Sequence, residues 1–443
     1  MTELKPPHTP TPPTGPLESD PKTRRMAVTS SFIGTTLEYY DFLLYSSAAA
    51  LVFPALFFSG QPPFVASLLS FATLAVGYFA RPIGGLLFGH FGDRYSRKTM
   101  LVITLVIMGL MSTLIGLLPT SNTIGVAAPI ILVFLRVIQG IAVGGEWAGA
   151  ALMSMEHAKG GKKGFAGSLV AAGGPGGAVL ASAVLGLFSL LPDGQFMSWG
   201  WRVPFLLSAA LVVVGIVLRT KVGDSPEFIA AQEQAAAADK EKKVPLLTVL
   251  KEHPGAAVIA MLGSLAPLFM QGLISAFILT FAVSHGHAQS QALFLVTIAH
   301  AIHAFTIPAF AALSDRIGRK PVMVGGAVLG IILVWPMFWA VQQGSPALLL
   351  IGFIIGNPIV QGSMYGPLAA WIAEKYPATV RYTGVSLSYQ IGTTLGAGLA
   401  PLICAALLQA KGDGNPQYIS LYFVALCIIS GLAYLFSRDH SRE

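Results

Sequence analysis

Two carboxylates one helical turn apart, Glu38 and Asp41, sit in a long apolar stretch, with the phenol of Tyr45 a further turn along. At about 100° per residue, the three fall within an arc of roughly 60° on one helix face. Acids held this close favour a single shared, exchangeable proton. A second set, Arg136, Gln139, Glu146 and Trp147, spans an arc of about 100°. Arg136 can serve as counter-charge to one of the first carboxylates or to a carboxylate on a bound molecule; a static ion pair is the alternative. Arg81 either snorkels to the nearby polar end of its stretch or serves at a site or gate. Asn357, Gln361 and Tyr365 form a neutral polar stripe, and Ser264, Gln271 and Ser275 offer another. Such groups suit recognition of a polar solute, or hydrogen bonds between helices. His300 and His303 stand one turn apart, packed or facing a solute. Lacking further ligands, they do not predict a zinc site. Cys404 and Cys427 lie in apolar runs with no CxxC pairing. No GxxxxGK[ST] loop and no nucleophile–base pair occurs, so neither ATP hydrolysis nor enzymatic catalysis is expected, and no cofactor or metal.

The elements that carry these residues follow from composition. Charged residues make up 11% of the 443, against roughly 25% in soluble proteins. Hydrophobic residues reach 54% and mean hydropathy is +0.69. So much apolar surface must face lipid. The backbone must then bond within each segment, which predicts an all-α membrane protein. Apolar stretches place spans near 31–58, 64–88, 100–118, 126–155, 164–190, 202–218, 255–283, 291–313, 321–340, 346–373, 382–409 and 418–436. A mid-bilayer charge costs about 2.5–3.5 kcal/mol on insertion scales. Arg136 and Glu146 therefore cannot face lipid and must turn into the bundle. Glu38 and Asp41 do so if the first helix starts within Ala27–Gly34; a later start leaves them among headgroups.

Of the 27 Lys and Arg residues, 23 fall in alternate loops and the two tails, only Arg202 and Lys411 fall in the opposite loops, and Arg81 and Arg136 lie within spans. The positive-inside rule then puts both termini and the 219–253 loop in the cytoplasm. The basic balance needs no nucleic acid to explain it. No cleavable signal peptide is evident. The expected organisation is a disordered tail over 1–29 (seven prolines before Thr23), a six-helix bundle over 30–219, a central loop over 220–253, a second bundle over 254–436 and a short tail over 437–443.

The halves repeat each other. GHFGDRYSRK (Gly89–Lys98) returns as ALSDRIGRK (Ala312–Lys320), with Asp93 and Asp315, and Arg97 and Arg319, at one offset. Glu156 and Glu374 precede the glycine clusters of spans five and eleven. Repeated bundles with close-packed glycines are the build of alternating-access transporters.

These loops resemble the signature of the major facilitator superfamily, with Ser96 where that signature usually has glycine. GTTLEYYDFLLY (Gly34–Tyr45), FARPIGGLLFGHFGDR (Phe79–Arg94), LRVIQGIAVGGEWAGAAL (Leu135–Leu152), WGWRVPF (Trp199–Phe205), DSPEF (Asp224–Phe228) and YGPLAAWIAEKYPATVRYTG (Tyr365–Gly384) are more specific. Together they resemble the metabolite:proton symporter family of shikimate, α-ketoglutarate, citrate, dicarboxylate and proline/betaine permeases, from about residue 27 to 436. The resemblance implies twelve helices in two six-helix bundles, and proton-coupled uptake of a small organic acid or zwitterion across the inner membrane by a functional monomer. Asp41, Glu38, Arg136 and Glu146 are then expected to couple protons. Tyr45, Arg81, Gln139, Trp147, Gln271, Asn357, Gln361 and Tyr365 are expected to meet substrate. A gating role is implied for Asp93, Arg94, Arg97, Lys98, Asp315, Arg316, Arg319, Lys320, Glu156, Glu374 and Arg381; the alternative is charge that only fixes topology. An efflux antiporter is a second reading, because AAGGPGGAV (Ala171–Val179) resembles the glycine–proline pattern of such proteins, although not at their GPxxGG spacing. A membrane sensor on the same fold is a third. It would be expected to carry a sizeable output domain, and the longest polar segment is only the 219–253 loop.

Overall fold

The computed structural model describes residues 21–94, 97–144, 151–152, 154–155, 163–220, 245–377, 380–412 and 414–437. The side chains within 21–31, 89–101, 218–220 and 245–247, and that of Leu86, are outside this description. Twelve helical passes run through the described residues. The first six are α1 (Pro21–Leu51), α2 (Pro63–Arg94), α3 (Arg97–Leu117), α4 (Ala127–Val143), α5 (Lys163–Phe188) and α6 (Asp193–Val217). The second six are α7 (Pro254–Ser284), α8 (Gln289–Ile317), α9 (Arg319–Gln342), α10 (Pro346–Ala373), α11 (Arg381–Lys411) and α12 (Gln417–Phe436). Nine helices among the described residues are long and apolar enough to cross a bilayer. Val102–Leu117 and Ala127–Val143 are shorter apolar helices, and α1 carries its cations in its first turns. This is a multi-pass, all-α membrane protein.

One boundary differs from the apolar stretches for a local reason. The helix of α1 is described from Pro21. It stops at Leu51, ahead of a separate turn over Phe53–Phe57, because Pro54 lacks the N–H needed to continue it.

Packing repeats with the sequence. In the first half α1 lies along α5, α2 along α4 and α3 along α6; in the second, α7 lies along α11, α8 along α10 and α9 along α12. The halves meet through α5 against α8 and α2 against α11, two contacts that the same repeat relates. Where α2 crosses α4 the backbones touch. A Cβ on Gly84 would lie 1.8 Å from the Ile141 carbonyl oxygen, and one on Gly144 would lie 1.9 Å from that of Arg81. Only glycine permits that approach. Leucine, valine and phenylalanine face outward around the bundle, among them Phe134, Leu187, Phe294 and Phe305.

Three π turns interrupt the second half: Leu273–Phe277 in α7, Ile355–Gln361 in α10 and Thr394–Gly398 in α11. Each bulges the helix by about one residue and re-aims the side chains beyond it. Pro358 lies inside the α10 turn, where its missing N–H makes a regular helix costlier.

Candidate functional site

Between α1 and α5 on one side and α7, α8 and α10 on the other lies a narrow cavity. A smaller one adjoins it, sharing Leu43, Ala178, Ser275 and His300. The first half supplies an apolar wall from Leu43, Ala171, Gly174, Pro175 and Ala178, with the ring of Tyr39. The second half supplies the polar groups: Gln271 and Ser275 at the α7 π turn, His300 and His303 on α8, and Asn357, Gln361 and Tyr365 on α10. None of the described residues lining either cavity is Asp, Glu, Lys or Arg.

Asn357 Nδ2 donates to His300 Nδ1 at 2.9 Å. The carbonyl oxygens of Gln271 and Gln361 are buried without a hydrogen-bond partner. An unmatched buried acceptor costs about 1–3 kcal/mol, so these two oxygens favour a solute that brings donors. Ser264, on the same helix as Gln271, instead bonds back to the Ala260 carbonyl at 2.7 Å.

Contacts between the halves flank the cavity on both sides. Toward the basic loops, Asp315 on α8 accepts the backbone N–H groups of Gly164 (3.0 Å) and Phe165 (2.8 Å) in the first described turn of α5. Arg319 donates to Asp315 at 2.5 Å and to Glu374 at 3.3 Å, tying α8, α9 and α10 to that latch. A carboxylate there complements the unpaired donors and partial positive charge of a helix start. Deeper on the same side, Gln390 donates to the Gly144 carbonyl and Thr394 to the Tyr78 carbonyl, each at 2.9 Å. Tyr389 joins Tyr365 (3.0 Å) and Tyr39 (3.5 Å), so three phenols bridge the halves beneath the cavity. On the opposite side Thr280 donates to the Ala50 carbonyl at 3.2 Å and Thr297 to Ser182 Oγ at 2.7 Å. Both faces are held closed around the cavity.

The acids and arginines of the first half stand behind its wall. Asp41 accepts from Ser208 on α6, and Ser112 on α3 also faces it. Arg136, fully buried, donates to Gln139 at 2.7 Å, and Gln139 donates to Ser112 at 2.9 Å. Gln139 and Ser112 thus stand between Asp41 and Arg136, which do not touch. The Arg136 guanidinium lies 4.1 Å from the Phe42 and Tyr45 ring centroids, and that of Arg81 lies 3.9 Å from Phe42 and 4.5 Å from Tyr78. Such desolvated cation–ring contacts contribute on the order of 2 kcal/mol. Nε of both arginines and Nη2 of Arg136 have no hydrogen-bond partner. Tyr45 turns to α2, donating to Thr73 at 2.7 Å, and Glu38 is buried in the same region.

The structure therefore brings Gln271, Asn357, Gln361 and Tyr365 together around the cavity. It places Glu38, Asp41, Tyr45, Arg81, Arg136 and Gln139 in a separate interior cluster. Among the residues expected at the gate, Asp315, Arg319 and Glu374 form one network. Lys320 donates to the Leu435 carbonyl at 2.6 Å, Arg381 to the Tyr376 carbonyl at 3.2 Å, and Arg316 is exposed. Glu146, Trp147 and Glu156 lie outside the described residues, as do the side chains of Asp93, Arg94, Arg97 and Lys98. Sequence reasoning passed over Tyr39, Pro175, Ser112, Ser208 and Tyr389. Tyr39 adjoins Glu38 and could have been found by weighing every face of α1; a lone serine in an apolar run gives no signal.

Two repeated six-helix bundles closed around a central cavity define a membrane transporter. The description Major Facilitator Superfamily matches residues 31–387 and 259–443, and the chain belongs to that family. It is 39% identical over 420 residues to the "Shikimate transporter" of Escherichia coli strain K12, covering 94% of this chain and 95% of that protein. It is 37% identical over 425 residues to "Inner membrane metabolite transport protein YhjE" of the same strain, covering 94% of each. A "Proline/betaine transporter" of Salmonella typhimurium is 30% identical over 421 residues, covering 92% and 83%. The fold is similar to that in "Crystal structure of D-xylose-proton symporter", with a TM-score of 0.72 over 94% of this chain and 98% of that one, at 18% identity. The protein is not an enzyme.

Proposed function

We propose that this protein is a secondary active transporter that carries a small organic acid or zwitterionic metabolite into the cell together with protons, by alternating access. The observation that carries the reading is the cavity between the repeated halves, with neutral polar groups on one wall and a buried carboxylate–arginine cluster behind the other. The relatives that transport shikimate and proline/betaine make those solutes, with α-ketoglutarate and citrate, the first to test.

In this scheme the halves rock about the cavity, so that the latch at Asp315 and the contacts at Thr280 and Thr297 open in turn. Asp41, beside Glu38 and linked to Arg136 through Gln139 and Ser112, takes and releases the proton; Glu146 is the next candidate. Gln271, Asn357, Gln361 and Tyr365 hold the solute. The charge asymmetry of the loops supports cytoplasmic termini. Residues 30–219 and 254–436 act as the two moving bundles, the loop 220–253 joins them, and one chain suffices.

Counterflow into proteoliposomes with shikimate, α-ketoglutarate, citrate, proline and betaine tests the reading. One solute class should exchange, and an imposed inward proton gradient should drive it above equilibrium. Accumulation that survives collapse of the gradient would sink the symport. Export driven by the gradient would instead support the antiporter.

A further inference from the structure

His300 and His303 are both nine-tenths or more buried and both line the cavity. Asn357 Nδ2 donates to His300 Nδ1, which leaves the Nε2–H of neutral His300 as a donor for a solute. His303 stands beside Gln361, whose buried carbonyl oxygen has no well-formed hydrogen bond. A proton added to His303 would make it a stronger donor toward this oxygen. Among the described residues no carboxylate lines the cavity to balance an imidazolium, and no arginine or lysine lines it to balance a bound carboxylate. Either charge alone is costly in so enclosed a space; the two together cancel.

We propose that the His300–His303 pair takes up one proton at the same time as the cavity takes up the carboxylate of the transported acid. The inference rests on the organic-acid reading above. The solute enters as an anion, the proton comes from water on the open side, and the loaded cavity is neutral. The titratable groups facing the pair are phenols: Tyr39 from α1, Tyr365 from α10 and, behind them, Tyr389 from α11. Glu38 and Arg81 lie beyond Tyr39, while α5 and α7 present no charged group to the cavity. The pair is thus the cavity's own proton site, separate from Asp41.

The test is calorimetric titration of the full-length protein in detergent with shikimate and with its methyl ester. Buffers of different ionisation enthalpy count the protons taken up. The unaltered protein should take up about one more proton with the acid than with the ester, and bind the acid up to about tenfold more weakly per unit rise in pH. In the His300→Gln, His303→Gln double variant that difference should vanish. The variant should still bind the ester, while its affinity for the acid falls about tenfold or more. A proton difference that persists in the variant, or is absent from the unaltered protein, overturns the proposal. So does a variant that binds neither compound, because the pair is then structural. If the unaltered protein binds neither these nor any other acid of the counterflow panel, the organic-acid reading itself has failed, and this inference falls with it.

Discussion

Arg136 holds its charge between the Phe42 and Tyr45 rings and not against a carboxylate, which sets how the cluster should respond to substitution. Asp41→Asn mimics the protonated acid and keeps a side chain that Ser208 can bond. Proton-driven accumulation should be lost, while counterflow, which needs no net proton movement, should survive. Arg136→Ala removes the cation from two rings, a contact on the order of 2 kcal/mol, takes the donor from Gln139 and empties a fully buried site, so both assays should fail even where membrane insertion is normal. Accumulation by Asp41→Asn equal to the unaltered protein would place the driving proton elsewhere. The types of these residues were readable from the sequence; their direction was not. From Gly34 to Ala50 every face of α1 is buried within the bundle, so an arc of polar residues says that a face avoids lipid but not which face meets the cavity. Tyr39 and Leu43 meet it, while Asp41 and Tyr45 face α3, α6 and α2.

Helices in this protein are held by contacts of two strengths, and substitution should separate them. Gly84→Ala would drive a methyl group into the Ile141 carbonyl and force α2 from α4. Thermal unfolding followed by size-exclusion chromatography should show a markedly lower midpoint; an unchanged midpoint would mean that the crossing yields freely. Asp315→Asn keeps one acceptor for α5 but loses the charge that Arg319 and the helix start both favour. A contact of about 1–2 kcal/mol shifts a two-state ratio roughly five- to thirty-fold. Transport should slow with the substrate competition profile unchanged, and a switched profile would mean that Asp315 touches solute. The helices themselves were legible because lipid forces every backbone polar group to bond within its segment. The π turns were not, since one extra residue in a helix leaves no mark on hydropathy. Only Pro358 hinted at one.

The two halves must part on one side while they close on the other, and joining them on one side should stop both. Ala50→Cys with Thr280→Cys, bridged by a thiol crosslinker, should arrest transport, and cleaving the bridge should restore it. Uptake unaffected by a complete bridge would exclude rocking of the halves. Cys404 and Cys427 are both fully buried, so the native chain offers a low thiol background for that measurement. The π turns bear on the same motion. Among the described residues they interrupt α7, α10 and α11, and a fourth, Phe196–Gly200, lies near the start of α6, whereas α1, α2 and α4, which carry the acids and arginines, have none. Backbone amides at 273–277, 355–361 and 394–398 should therefore exchange with deuterium faster than those at the matching depths of the first half. The helices that hold the acid–arginine pairings and those that line the polar wall thus differ in compliance. The first are stiff levers that carry their load unchanged, and the second are springs that can give by a residue to fit what they grip.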